Sequence, residues 1–136
     1  SHKTVENILE RKAFTVSVAD EAHLVEADYV GLVSGNEVPD KLERSGLHAT
    51  RSEFLDAPVI DELPLVLECK LVSYDPETHF MVGRIVNAGA DEAILDEAGM
   101  IDPARLKPLT FDPANGTYWS LGEKVGKAFS DGGKLK

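Results

Sequence analysis

The sequence has little cysteine and no long apolar run. A single cysteine, Cys69, excludes an intrachain disulfide and leaves no thiol pair for zinc binding or redox exchange. No stretch of about 18 apolar residues is present, and the N-terminus lacks the charged-then-apolar order of a signal peptide. We therefore expect a cytoplasmic protein without a membrane-spanning segment.

Positive charge is also scarce. The 136 residues include 24 acidic and 14 basic side chains, and the net charge of -10 would repel nucleic acid or an anionic membrane. The 11 glycines and 7 prolines are too few and too scattered for a disordered or fibrous chain. The length predicts one domain over residues 1–136, and the charge predicts no nucleic-acid partner and no membrane partner.

General catalytic motifs are missing from the sequence as well. It contains no Walker loop, no dinucleotide-binding glycine motif, no paired-histidine helix and no nucleophile elbow. His23 and Glu26 stand three residues apart on a predicted helix, but two ligands are too few for a closed metal site, so we expect no metal. Cys69 is expected to be a small core side chain. His48 and His79 have no acidic partner at a recognisable spacing, so from the residues alone both are expected to be structural.

The hydrophobic pattern that is present predicts an α+β protein with an antiparallel sheet as its spine. The strongest strand signal, LPLVLECKLVSYD, places Leu65, Leu67 and Cys69 on one face and Glu68 on the other. A turn at DPET joins it to HFMVGRIVNAGAD in a predicted hairpin. Gly83 inside the second strand indicates a bulge or a close approach to the backbone.

Shorter elements surround this hairpin in the prediction. The pattern predicts helices over 4–12, 21–33 and 40–44, a strand over 13–19, an irregular stretch up to residue 58, and helical turns within 92–109. The Ser-Gly-Asn sequence at 34–36 is expected to end the second helix. Three clear strands leave sheet edges unpaired, so we expect either dimerisation through an edge or further strands upstream.

The opening SHKTVENIL has two explanations that the residues alone leave open. Its apolar positions form one face of a short helix, and Ser1 or Thr4 could cap the start of that helix. The same hydroxyls, with an imidazole and an ammonium beside the positive end of a helix dipole, equally suit a bound anion such as phosphate.

Five segments, in order along essentially the whole chain, resemble the flavin reductase-like family of FMN-binding split barrels, in particular its flavoredoxin branch. They are HKTVENI, FTVSV, EADYVGLVSGNEVPDKLERSGL, DAPVIDELPLVLECKL and YWSLGEKVGKAFS. The resemblance implies a mainly β, α+β split β-barrel with short flanking helices, non-covalently bound FMN, and a homodimer with its flavin sites near the subunit interface.

The resemblance also implies what the protein does. An NAD(P)H-dependent flavin reductase is one expectation, and a flavoredoxin-type electron-transfer protein with a protein partner is the other. A non-catalytic flavin-binding or structural paralogue is the alternative from a different class. Hydride passes directly from nicotinamide to flavin, so the missing catalytic motif agrees with a reductase, and no catalytic residue is assigned.

Candidate cofactor-binding residues follow from matching positions in the family. The segment before ENI contacts the FMN phosphate in family members, which implies that role for Ser1, His2, Lys3 and Thr4 here. Asn7 comes from the same motif.

Further candidates come from the later segments. A family histidine that opens the strand after the hairpin turn, towards flavin or nicotinamide, corresponds to His79. Tyr118 and Trp119 match a family aromatic, which we expect to pack first and to contact flavin second. Arg84 stands where relatives commonly have Glu, so no role of that acid transfers. Family members also carry several strands before the phosphate motif, so we expect this chain to be the C-terminal two-thirds of such a domain.

Overall fold

The computed structural model describes residues 2–136, which form short helices and strands. The helices are α1 (Lys3–Arg11), α2 (Leu24–Leu32), α3 (Lys41–Ser45) and α4 (Pro103–Leu106). The strands are β1 (Ala13–Ser17), β2 (Ala49–Arg51), β3 (Pro58–Ile60), β4 (Leu65–Tyr74), β5 (Met81–Ala90), β6 (Leu109–Asp112) and β7 (Thr117–Ser120). Single 3₁₀ segments cover Glu21–His23, Glu92–Ile94 and Asp131–Leu135.

The strands pair into three antiparallel sheets, which stay open within residues 2–136. In the largest sheet β4 lies between β1 and β5, while β2 pairs with β3 and β6 with β7. Thr15 donates a hydrogen bond from Oγ1 to the Pro58 carbonyl at 2.5 Å, which ties β1 to β3. The Leu109 amide donates to the Ala19 carbonyl at 2.9 Å, which ties β6 to the segment after β1.

The predicted β4–β5 hairpin is confirmed, including its turn. The Asp75 amide donates to the Phe80 carbonyl at 2.9 Å and closes the loop at DPET. Gly83 has the close approach that the sequence indicated, because a Cβ at this position would lie 2.7 Å from Cε1 of Phe14 on β1. The pairing register also shifts in the adjacent part of β4, so a bulge accompanies the contact.

The helices lie where the sequence predicts them, but one of them ends in a different way from the prediction. α3 stops at Gly46, whose φ of 81° is the left-handed conformation expected after a helix. α2 ends at Leu32 because Val33 is already extended, with φ -115° and ψ 140°. The expectation that a glycine at 34–36 ends this helix is therefore wrong, and Gly35 has a different role, described below.

Two hairpins lie where the sequence indicated no strands. β2 and β3 pair from Ala49 opposite Ile60 to Arg51 opposite Pro58, so the prediction of an irregular stretch up to residue 58 is wrong. The β6–β7 hairpin was not predicted either. Strands of three or four residues are too short for alternation to be recognisable, and all three residues of β2 are exposed.

The core is small and includes a charged side chain. Seven apolar residues of the described chain are buried: Ala13, Leu47, Ala57, Val66, Cys69, Ile94 and Leu106. Cys69 is a core side chain as predicted, and burial raises the pKa of its thiol. Glu68, expected on the opposite face, is also only 5% exposed, so both faces of β4 are covered there. Within residues 2–136, no helix has the length and apolar character needed to cross a membrane.

Candidate functional site

The opening segment forms the start of α1, and the structure bears on whether it caps the helix. His2 is the N-cap residue, extended at φ -90° and ψ 132°, and its side chain makes no capping hydrogen bond within the described part of the chain. Thr4 lies inside the helix and is not the N-cap. Ser1, the other candidate cap, lies outside the described residues. Capping by Thr4 is therefore wrong, and the positive end of the helix dipole faces the neighbouring groove.

That groove lies between the start of α1 and the end of α2, and its volume is about 400 Å³. One wall consists of the predicted residues 2–4, and the other of the chain from Val30 through Gly35, with Glu37 and Lys41. The two walls touch where Gly35 meets Lys3, because a Cβ at Gly35 would lie 3.3 Å from both Cβ and Cγ of Lys3. A side chain at position 35 would require Lys3 or the second wall to shift by a few tenths of an ångström.

Lys41 holds the second wall in shape. Its Nζ donates to the carbonyl oxygens of Val30 at 2.8 Å and Val33 at 2.9 Å, and the side chain is half-buried. These carbonyls belong to the end of α2, where backbone acceptors lack helical partners. The ammonium therefore satisfies backbone acceptors at the end of α2, and Lys41 also forms part of the lining of the groove.

Positive charge predominates around the groove. The lining includes two ammonium groups, from Lys3 and Lys41, and one carboxylate, from Glu37. His2 adds a further positive charge when it is protonated. The Nζ of Lys3 lies 3.9 Å from a carboxylate oxygen of Glu6, a separation that leaves the ammonium solvated. Two ammonium groups, a hydroxyl and a helix start on one small concave surface can bind an anion of phosphate size.

The other predicted site residues lie outside the lining of this groove. Asn7 is exposed on α1. His79 occupies the β4–β5 turn with φ 63°, and its Nδ1 lies 3.2 Å from the hydroxyl of Tyr74. Arg84, to which the sequence assigns no role, is exposed on β5. The structure thus brings three of the predicted residues together and leaves the roles of Asn7 and His79 as predictions.

Tyr118 makes a defined contact in the second half of the chain. Its hydroxyl donates to Asp28 Oδ1 at 2.6 Å, and this bond to the carboxylate raises the pKa of the tyrosine. The ring also lies against Phe111, with centroids 5.7 Å apart. Trp119 is 62% exposed and donates from Nε1 to Thr117. Tyr118 is itself 39% exposed, so packing and flavin contact both stay predictions for this aromatic pair.

The sequence reasoning did not pick out Lys41 or Gly35 as site residues. The segment SGNEVPDK was singled out only as part of the family resemblance, and its Gly and Lys are the two residues that shape the groove. A lysine that binds carbonyls eight and eleven residues earlier has no recognisable spacing. Among residues 2–136, no group of three or more His, Cys, Asp or Glu side chains is placed to hold a metal ion.

Comparison with known protein families assigns the fold to a family. The model of the flavin reductase like domain matches residues 1–116. The chain belongs to the flavin reductase-like family. Flavoredoxin of Desulfovibrio vulgaris (Miyazaki F) superposes with a TM-score of 0.91 at 36% identity, over 97% of this chain and 71% of that one. Flavoredoxin from Methanosarcina acetivorans superposes with a TM-score of 0.89 at 32% identity, over 100% of this chain and 72% of that one. These matches confirm the flavoredoxin branch of the family.

More distant relatives agree with the fold. An FMN-binding domain of a flavin reductase-like enzyme from Shewanella baltica has a TM-score of 0.79 at 24% identity, over 93% of this chain and 69% of that one. The predicted fold class is confirmed: the chain is mostly strand with short helices, and its neighbours are flavin reductase-like split barrel domains. A curated relative from Aquifex aeolicus is 32% identical over 111 residues, which are 78% of this chain and 55% of the relative. The chain therefore spans about half the length of that protein.

Proposed function

We propose that this flavin reductase-like chain binds FMN and places the FMN phosphate in the groove at the start of α1. The observation that carries the proposal is the meeting of residues 2–4 with the end of α2 and Lys41 around one positively charged concave surface. Membership of the family and the likeness to two flavoredoxins support flavin as the ligand class. Hydroxyl, ammonium and helix-start donors are the groups that a phosphate dianion requires.

Each wall of the groove would have a distinct part in binding. Lys3 offers a charge-assisted hydrogen bond, Thr4 a hydroxyl, and the first turn of α1 its backbone N–H groups. Gly35 keeps the opposite wall within contact of Lys3, and Lys41 holds that wall through its two carbonyl bonds. Ser1 and Asn7 remain candidates from the same motif.

The flavin, when bound, supplies the chemistry by accepting a hydride or single electrons. The chain's own contribution would be binding, orientation and electrostatic compensation. We propose NAD(P)H-dependent flavin reduction, or electron transfer to a protein partner, as the activity, with His79 and Tyr118 as candidates near the flavin or nicotinamide. The non-catalytic flavin-binding paralogue remains the alternative.

Flavin titration tests the phosphate site directly. We expect the double variant Lys3→Ala/Thr4→Ala to bind FMN about tenfold to a hundredfold more weakly, since a charge-assisted hydrogen bond contributes about 1.5 to 3 kcal/mol. Riboflavin, which lacks the phosphate, should bind both proteins equally. Fluorescence quenching measures both affinities.

The matched control is Lys70→Ala, which removes an exposed lysine of β4 that does not line the groove. It should leave FMN affinity unchanged. Equal weakening of FMN and riboflavin, or an equal fall in the melting temperature of apoprotein and FMN complex, would place the effect in folding and contradict the phosphate site.

Oxidation of nicotinamide separates the activities. Consumption of NADH or NADPH with added FMN, followed at the nicotinamide absorbance, supports the reductase. FMN binding without consumption of either nucleotide defeats the reductase and leaves electron transfer or flavin storage. An absence of FMN binding defeats every flavin function proposed for the chain.

A further inference from the structure

The turn of the β6–β7 hairpin contains the one Asn-Gly pair of the sequence. The chain has four asparagines, and those at positions 7, 36 and 87 are followed by isoleucine, glutamate and alanine. Asn115 is followed by Gly116, and both residues are exposed. A Cβ at Gly116 would have no atom within 4 Å, so nothing shields the backbone nitrogen there. Asparagine is a thermolabile residue, and an unhindered backbone nitrogen after it can attack the side-chain amide to form a cyclic imide, a succinimide.

Asp112 organises this turn with its side chain and its backbone. Oδ2 of its carboxylate accepts hydrogen bonds from Asn115 Nδ2 at 2.8 Å and from Thr117 Oγ1 at 3.2 Å. Oδ1 accepts from the Ala114 amide at 2.9 Å. The Gly116 amide donates to the Asp112 carbonyl at 2.9 Å, with Gly116 in the left-handed conformation at φ 64°. The side-chain amide and the backbone nitrogen that would react are therefore both bound to Asp112 while the hairpin is closed.

The hairpin is small enough to open often. β6 and β7 pair through four residues each and form a two-stranded sheet of their own. A two-stranded hairpin is only marginally stable in water, and solvent-exposed hydrogen bonds are among the first to open in a native protein. Each opening of the turn frees the Gly116 amide and the Asn115 side chain together, because both of their bonds end on Asp112. The closed turn slows cyclisation, and its openings permit it.

We propose that the Asn115-Gly116 pair is a site of spontaneous modification, at which the chain cyclises, loses ammonia and hydrolyses to aspartate and isoaspartate. The Gly116 nitrogen gives its proton to water or hydroxide and bonds to Cγ of Asn115, and the Cγ–Nδ2 bond breaks to release ammonia. Water then opens the succinimide. Attack at Cγ gives aspartate, whereas attack at the backbone carbonyl of residue 115 gives isoaspartate, in which the main chain passes through Cγ. Water is the only co-reactant, nothing is oxidised or reduced, and the reaction does not depend on whether the protein binds flavin.

Both products disturb the hydrogen bonds that lead from the turn to Trp119. Trp119 donates from Nε1 to Thr117 Oγ1 at 2.9 Å, and the Thr117 hydroxyl donates in turn to Asp112. Aspartate at position 115 has no N–H group for Asp112 and places a second negative charge beside it. Isoaspartate also lengthens the backbone by a methylene group before Gly116, which displaces the amide that closes the turn. The modification therefore loosens the part of the hairpin that carries Trp119.

Peptide mapping by mass spectrometry, after incubation of the whole chain in mildly alkaline buffer, tests the proposal. We expect the mass gain of NH2 replaced by OH to appear at Asn115 severalfold faster than at any other asparagine, and faster still in urea, where the hairpin is open. The product should include isoaspartate, because direct hydrolysis of the side-chain amide gives aspartate alone. An amide at Asn115 that persists as long as the other three would overturn the proposal, as would aspartate without isoaspartate.

Gly116→Ala tests the attacking nitrogen, because a methyl group hinders it. The variant should lose ammonia at Asn115 severalfold more slowly than the unaltered chain in urea, where an effect of the substitution on folding has no influence. Gly122→Ala is the matched control, since Gly122 is also exposed with no atom within 4 Å of an added Cβ, and it should leave the rate unchanged. An equal rate for Gly116→Ala and the unaltered chain would overturn cyclisation through the backbone.

Asn115→Asp reproduces the aspartate product and tests its effect on the hairpin. Trp119 is the only tryptophan, so its indole N–H group gives a single NMR signal whose exchange with solvent can be followed. We expect this exchange to be severalfold faster in Asn115→Asp. Asn7→Asp adds the same charge at an exposed position of α1 and should not change it. Unchanged exchange in Asn115→Asp would overturn the link between the modification and Trp119.

Discussion

The two ends of the β4–β5 hairpin differ in how they are covered. At the inner end Val66, Glu68 and Cys69 are 8%, 5% and 4% exposed. At the outer end Val72 and Val82 are 59% and 51% exposed, although they belong to the same two strands. The difference follows from the neighbours, because β1 pairs with residues 66–70 of β4, and the flanking backbone hydrogen bonds reach no further than Leu65 and Leu71. Burial in this sheet is therefore decided by which other elements reach each part of a strand, more than by the apolar character of its residues.

The inner end buries a carboxylate and provides hydrogen bonds for it. Glu68 accepts one from Ser52 Oγ at 2.6 Å and another from Asn87 Nδ2 on the adjacent strand. Ser52 Oγ in turn accepts from the amides of Phe54 and Leu55 at 3.0 and 3.1 Å. The carboxylate thus joins the loop after β2 to the sheet. Each of its two oxygens accepts a hydrogen bond, so the buried charge has partners within the protein.

The largest effect should come from breaking this network. Glu68→Ala removes the shared acceptor, leaves the Ser52 hydroxyl and the Asn87 amide without it, and opens a cavity. We expect a loss of about 3 kcal/mol in the free energy of unfolding, measured by urea denaturation. Glu97→Ala, at an exposed glutamate in a loop, is the control and should change stability by less than about 0.5 kcal/mol. A similar small change at Glu68 would contradict a structural role for the buried carboxylate.

A smaller effect is expected at Gly83, where the two ends meet. Gly83→Ala would force its Cβ against the Phe14 ring and to 3.1 Å from Cβ of Cys69. Overpacking of this kind costs about 2 kcal/mol. The control, Gly31→Ala, has no atom within 4 Å of the added Cβ and lies inside α2, so it should stabilise the protein by up to about 1 kcal/mol.

A second substitution tests whether the phenylalanine ring is the obstacle. Phe14→Leu shortens the side chain above Gly83, so the double variant Gly83→Ala/Phe14→Leu should be more stable than the sum of the single losses predicts. Strict additivity of the two changes would indicate that the cost at Gly83 arises from the backbone and not from contact with Phe14.

The same contrast explains what the sequence could predict. Local sequence encodes three features of this sheet. The alternation of apolar and polar residues predicts the hairpin strands, the DPET sequence predicts the turn, and a glycine within a strand predicts the close approach at Gly83. The burial of Glu68 depends on Ser52, sixteen residues away, and the shape of the groove depends on a lysine that binds the end of another helix. Contacts of that kind follow from the packed fold and leave no periodic signal in the chain.

The candidate site was predictable only in part, for a related reason. Residues 1–4 stand out in the sequence because four polar side chains precede a helical pattern, whereas Gly35 is an ordinary turn residue until the fold brings it against Lys3. The family resemblance supplied the flavin reductase-like fold, which the matches confirm. Charge and periodicity alone leave an anion site and a helix cap equally open.

The smallest effect is expected at the outer end of the hairpin. Val72→Thr keeps the β-branched shape and the strand preference while it replaces a methyl group with a hydroxyl, and the side chain is 59% exposed. We expect the free energy of unfolding to change by less than about 0.5 kcal/mol, because water solvates the hydroxyl. Val82→Thr offers a second exposed position at the outer end, on the partner strand, and should behave alike. A loss above about 1 kcal/mol that grows with protein concentration would show that another surface covers the outer end, since only association makes stability depend on concentration. That result would remove the contrast between the two ends of the hairpin.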